Sequence, residues 1–133
     1  MKVLADTSAW VRYLRYGREG EAAAIEQLLQ ARDLIICGPV VAELLVGTHS
    51  EKRDELGFLL DALPWARFNR TEWHRVGNLG AELRARGLTV ALTDIEIAVA
   101  AETADASIWT FDSDFQRLAT QLPGLRFFSP PAR

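Results

Sequence analysis

Cysteine, histidine and lysine are scarce in this chain, and each scarcity removes a class of chemistry. Cys37 is the single cysteine, so an internal disulfide and a cysteine-based zinc site are both excluded. The two histidines, His49 and His74, are isolated and lack ligand spacing, so surface positions are expected for them. Lys2 and Lys52 are the only lysines. No apolar run approaches the roughly 18 to 20 residues that a membrane span needs. The opening stretch "MKVLADTS" turns acidic at its sixth residue and lacks the apolar core of a signal peptide. A cytoplasmic protein without a membrane partner is therefore expected. Repeats, low-complexity stretches and linkers are also missing. The 133 residues are read as one domain, residues 1–133, large enough to bury about two thirds of its unfolded surface.

The net charge is -3, which provides no global attraction for nucleic acid. Of the 15 basic residues all but the two lysines are arginine. Arginine suits bidentate phosphate contacts, although a GC-rich coding sequence explains the bias more simply.

What is abundant is alternating short apolar runs and helical patterns. "KVLAD" reads as a first strand and "TSAWVRYLRYG" as a helix stopping at Gly17. "EGEAAAIEQLLQARD" is a strong helix former and "LIICG" a second strand, with Cys37 inside it. "PVVAELLVGT" begins a helix at Pro39 and ends it at Gly47. "SEKRDELGFLLDAL" continues as a helix, and "WARFN" is a strand candidate. "RTEWHRVGNLGAELRARG" reads as a long helix. "LTDIEIAVAAETAD" reads as a helix opened by a capping box of Thr93 and Glu96. "ASIWTF" is a strand, "DSDFQRLATQL" a helix and "LRFFS" a last strand. Continuously apolar strands alternating with helices predict an α/β fold, a parallel sheet covered on both faces.

In such a fold the strand C-terminal ends and helix N-termini gather at one edge, where ligands bind. Asp6, Glu43, Asp94, Asp112 and Asp114 all map to that edge. Asp6 and Asp112 are explained singly as helix N-caps, and Asp94 as a charge favoured by its helix dipole. Glu43 has no such explanation. It lies past the cap, in a nearly unbroken apolar run, where a buried and unpaired carboxylate is costly. Either something neutralises it or the run is less buried than it looks. Carboxylates at roughly 6 Å repel by about 3 kcal/mol per pair at an effective dielectric of about 20. A cluster of them needs protons, arginines or a cation, and hard oxygen ligands suit Mg²⁺ or Mn²⁺.

The stretches "VLADTSAWV", "PVVAELLVG", "LTDIEIAVAA" and "IWTFDSDFQRLA", in that order over nearly the whole chain, resemble the PIN domain. In size the chain is similar to the VapC-like toxin ribonucleases of toxin–antitoxin pairs. The resemblance implies a three-layer sandwich with a five-stranded parallel sheet, its first and fourth strands adjacent. It implies that Asp6, Glu43, Asp94 and Asp112 bind metal and catalyse RNA hydrolysis, leaving a 5′-phosphate and a 3′-hydroxyl. Asp6 and Asp112 are expected as direct ligands. Asp114 matches a more peripheral acidic position, and Ser8 and Thr110 match hydroxyls lining the pocket. The resemblance further implies a homodimer and a VapB-like antitoxin.

"WVRYLRYGR" interleaves Trp10, Tyr13 and Tyr16 with arginines. A partner interface is the favoured reading, with Arg12 and Arg15 as RNA contacts the minority one. Arg84 and Arg86, shortly before Asp94, form a possible basic rim, and a solvated helix end is the simpler account. Trp65, Trp73 and Trp109 are read as core or interface residues. Receiver and haloacid-dehalogenase-like phosphotransfer domains resemble this acidic edge too. They imply a lysine near the site, which neither Lys2 nor Lys52 provides, or a first-strand DxD, where Asp6 is followed by "TSA". The remaining rival is a PIN-like module that binds RNA or protein without cutting.

Overall fold

A computed structural model describes residues 1–17 and 23–130. The elements are β1 (Val3–Ala5), α1 (Thr7–Tyr16), α2 (Ala23–Gln30), β2 (Leu34–Ile35), α3 (Gly38–Val46) and α4 (Ser50–Asp61), followed by α5 (Arg70–Ala85), α6 (Leu92–Thr103), β3 (Ser107–Trp109) and α7 (Asp114–Ala119). The part of the predicted second helix before Ala23 lies outside the described residues. No described helix is long and apolar enough to cross a membrane.

The sheet is parallel, in the order β2-β1-β3, with Val3 opposite both Leu34 and Ser107. Three strands form where five were expected. The other two segments each make a single parallel bridge at the outer edges, Ile36 with Trp65 and Ile108 with Phe127. Each bridge is closed by two backbone hydrogen bonds of 2.8 to 3.0 Å. The segments "WARFN" and "LRFFS" are exposed at Trp65 and Phe127, so little burial extends the pairing beyond one residue. The first and fourth segments are adjacent, as expected.

Right-handed crossovers put α1–α4 on one face of this sheet and α5–α7 on the other. The packing agrees: α1 meets α2 and α3, α3 meets α4, and α6 meets α5, α7 and β3. The α3–α6 contact links the two groups. Helix α6 is apolar nearly all round and buries Ile95, Ile97, Ala98, Val99, Ala100 and Ala101, which makes it the central helix.

Three local expectations are corrected. Helix α6 begins at Leu92 with Ala91 as N-cap and no side-chain cap, so Thr93 and Glu96 form no capping box. A Glu closes the start of α5 instead, where the Asn69 N–H donates to the buried Glu72 carboxylate at 2.6 Å. Trp10 is fully buried, a core residue and not an interface one, and its ring meets Tyr13 edge-on. Cys37 is buried at the N-cap of α3, just beyond the strand, and burial pushes its thiol up to about 12. Trp109 is core, whereas Trp65 and Trp73 are exposed.

Candidate metal centre

The site grows from the residue that follows β1. Asp6 donates its backbone N–H to Trp109 O at 2.9 Å, tying the ends of β1 and β3 together. Its side chain caps α1, accepting from Ala9 N at 3.0 Å. Parallel pairing of β1 with β3 brings Thr110 alongside. Thr110 Oγ1 donates to Asp6 Oδ2 at 2.5 Å and accepts the Asp112 N–H at 2.9 Å. Ser8 Oγ donates to Asp6 Oδ1 at 2.6 Å and accepts the Phe111 N–H at 2.9 Å. Each hydroxyl has one hydrogen. An accepted N–H from the 110–112 loop therefore leaves that hydrogen for Asp6. The two hydroxyls that the resemblance singles out thus clamp this loop onto the buried carboxylate.

Asp112 is not the N-cap of α7, a position that Ser113 holds. Its Oδ1 accepts the Asp114 N–H at 2.9 Å, which turns the chain into α7. Asp94 lies in the first turn of α6. Asp94, Asp112 and Asp114 each offer a carboxylate oxygen, all within 4.8 Å of one another. Asp114, expected at the periphery, is part of this trio, and it also pairs with Arg117 at 3.3 Å. Asp6 stands beside the trio. Three of its roughly four acceptor positions are taken by Ser8, Ala9 and Thr110, which leaves one for another ligand.

Glu43 is exposed, which resolves the apparent conflict in its apolar run. Helix α3 buries Val40 and Leu44, one turn apart, while Val46 on the same helix is 86% exposed. An apolar sequence here does not mean a buried helix. The α1–α3 packing puts Thr7 beside Glu43, and Thr7 Oγ1 donates to Glu43 Oε1 at 2.6 Å.

The electrostatics converge on Asp94. Partial burial, then repulsion from Asp112, Asp114, Glu43 and Asp6, pushes its carboxyl up to about 6. Every charged neighbour acting on it is another acid. Burial also raises Asp6, against hydrogen bonds from Ser8, Thr110 and Ala9 and with added repulsion from Asp112. Glu96 is raised by burial and by Glu43. The sequence does not mark Thr7 or Glu96 as site residues. Glu96 matched a capping pattern, and no local signal places Thr7 against α3.

The family profile of the PIN domain matches residues 3–121. The chain belongs to the PIN domain family. Among curated proteins none matches. Solved structures with this PIN fold include VapBC2 from Rickettsia felis bound to a promoter DNA fragment. It is 24% identical, with a TM-score of 0.76 and coverage of 96% of this chain and 98% of that one. DNA-bound VapBC from Salmonella typhimurium is 20% identical, with a TM-score of 0.76 and coverage of 96% and 97%. A toxin–antitoxin complex from Klebsiella pneumoniae is 19% identical, with a TM-score of 0.69 and coverage of 99% and 100%. At these identities the likeness establishes a shared fold.

The acids of this PIN domain fit a hard divalent cation. Ligands of one Mg²⁺ sit at about 2.0 to 2.1 Å, so opposite ligands are about 4.2 Å apart. Oxygens within 4.8 Å of one another lie close to that spacing. The arginines are placed unevenly. Arg12 Cζ lies over the Phe111 ring, 4.0 Å from its centroid. Arg15 and Arg84 are exposed in the last turns of α1 and α5. Arg86 is bonded to Gln121 and has no described contact with the acids.

Proposed function

We propose that this PIN domain is a divalent-metal-dependent ribonuclease, the toxin of a VapBC-like toxin–antitoxin pair. The observation that carries the reading is the trio Asp94, Asp112 and Asp114, whose carboxylate oxygens lie within 4.8 Å of one another; repulsion in that group pushes Asp94 up. Such an arrangement is costly in the metal-free protein and is relieved by a cation. Asp94, Asp112 and Asp114 would hold Mg²⁺ or Mn²⁺, with Asp6 contributing its remaining acceptor position and Glu43 flanking. When bound, the metal lowers the pKa of water and neutralises charge on the phosphoryl oxygens of RNA. Ser8 and Thr110 fix the 110–112 loop, and so set where the Asp112 carboxylate stands. Asp6, locked from three sides, orients both hydroxyls.

Partners belong to the same proposal. Val46 and Phe58, 86% and 82% exposed on α3 and α4, are apolar surface of the kind that a second copy or an antitoxin covers. A cytoplasmic site of action fits a toxin paired with an antitoxin.

The test is cleavage of single-stranded RNA by purified protein with Mg²⁺ or Mn²⁺, with EDTA, and with Asp112→Asn. Metal-dependent cutting that leaves 5′-phosphate ends and is lost in the variant is expected. RNA binding without cutting in either metal would establish the non-cleaving module instead.

A further inference from the structure

A site lined by five carboxylates repels the polyanion it is proposed to cut. Net charge offers no compensation at -3. Something local must bring a phosphate to this edge, and the question is which residue.

Arg12 answers it by position. It lies four residues after Ser8, one turn further along the same face of α1. Its guanidinium sits over Phe111, 4.0 Å from the ring centroid. Phe111 is not a free surface ring. Its N–H is bound to Ser8 Oγ at 2.9 Å, and its ring leans on the buried Trp109 at 5.9 Å. It immediately precedes Asp112. The guanidinium therefore rests on the loop that carries a proposed metal ligand, and that loop is held by a hydroxyl that also binds Asp6.

Among the described residues Arg12 has no carboxylate partner. The ion pairs involve Arg75 with Glu102, Arg117 with Asp114, Arg126 with Asp105 and the N-terminus with Asp33. A ring face attracts a cation but occupies none of its N–H donors. Arg12 therefore lies on the ring with its donors available, beside an acidic site.

We propose that Arg12, held over Phe111, grips a backbone phosphate of single-stranded RNA next to the one presented to the acids. It acts as a positioning residue, and Phe111 acts through it. This rests on the ribonuclease reading. A fork of N–H donors matches a phosphate bidentately, and pre-ordering on the ring cuts the entropy lost when the strand binds.

The experiment uses the full chain and a labelled single-stranded oligoribonucleotide. Cleavage kinetics are measured for wild type, Arg12→Gln, Arg12→Lys and Phe111→Leu. Binding is measured by anisotropy across salt concentrations in an Asp112→Asn background. Arg12→Gln is expected to raise KM and Kd about tenfold, a step typical of one charge-assisted contact, with kcat much less affected. The slope of log K against log salt should shrink by about 0.7, the signature of one lost phosphate contact on a single strand. Arg12→Lys should restore the slope but only part of the affinity, and Phe111→Leu should weaken binding with the slope kept. Cleavage by wild type with an unchanged slope in Arg12→Gln overturns the proposal alone. So does a loss confined to kcat, or an effect seen only on binding to a protein partner. Absence of RNA cleavage by wild type overturns the functional reading, and the proposal with it.

Discussion

Thr7 Oγ1 donates a 2.6 Å hydrogen bond to Glu43 Oε1 across 36 residues of sequence. It joins the first residue of α1 to the acid of α3, and so sets the distance of Glu43 from the aspartates at the same sheet edge. Glu43→Gln is expected to weaken Mn²⁺ binding measured by calorimetry. Thr7→Val should weaken it less, because the charge survives while its position loosens, and Thr7→Ser should behave as wild type. Unchanged affinity in Glu43→Gln would make Glu43 a surface residue without a role in the centre.

Asp114 is the acid whose importance the fold raises. Asp114→Asn, like Asp112→Asn and Asp94→Asn, should reduce divalent-metal affinity by about tenfold or more, since each would remove a charged ligand. Titration of the purified variants decides it. Wild-type affinity in Asp114→Asn returns this residue to its pair with Arg117.

Asp6→Asn separates cap from ligand. Asparagine caps nearly as well as aspartate, and it removes a carboxylate that burial and Asp112 already disfavour. The amide nitrogen cannot accept the Thr110 hydroxyl, so this lost bond offsets the relieved repulsion and thermal unfolding in EDTA should show stability close to wild type, while RNA cleavage is lost. A clear fall in stability together with full metal-dependent activity would leave Asp6 a structural cap alone.

Asp94 makes the metal-free protein pH-sensitive. Its folded-state carboxyl is raised from 3.8 to about 6, so the folded chain holds a proton that the unfolded chain releases. The stability this provides is full below about pH 4 and is lost as pH rises through about 6. In EDTA the melting temperature should fall across that window and then level, with Asp6 and Glu96 acting in the same direction. Asp94→Asn should flatten the profile. Saturating Mg²⁺ should stabilise the protein most above pH 6, where no proton competes for the site. A melting temperature that rises over pH 4 to 6 in EDTA would contradict this electrostatic account.

Trp10 tests the core. Trp10→Ala removes a fully buried indole and should cost about 3 to 5 kcal/mol in urea unfolding. A loss under about 1 kcal/mol would mean that the ring belongs to a surface.

Much of this was legible because local patterns carry it. Asp6 before "TSAW" announced a capped helix, and α1 runs from Thr7 to Tyr16 and stops at Gly17. Pro39 and Gly47 bracket α3 as helix-start and helix-stop chemistry require. The apolar runs around Val3, Leu34 and Ile108 became the three paired strands. Errors arose where a local pattern had two physical meanings. Thr93 and Glu96 match a capping box, but α6 starts earlier, and Glu96 faces the charge of Glu43. "PVVAELLVGT" looks buried because hydropathy does not say how many neighbours a helix has. Val40 and Leu44 are buried, Val41 and Leu45 pack partly against the core, and Val46 is left exposed.

The sequence by itself determined the order of elements, the parallel sheet and the gathering of the acids at one edge. Helix caps, periodicity and the handedness of crossovers act over short stretches, and the edge follows from topology. Only the tertiary structure decided which acids stand together. Asp94 meets Asp112 and Asp114 because α6 and the turn into α7 pack side by side, and no spacing along the chain records that approach. The same holds for Thr7 with Glu43 and for Arg12 over Phe111, pairs made by packing between elements far apart in sequence.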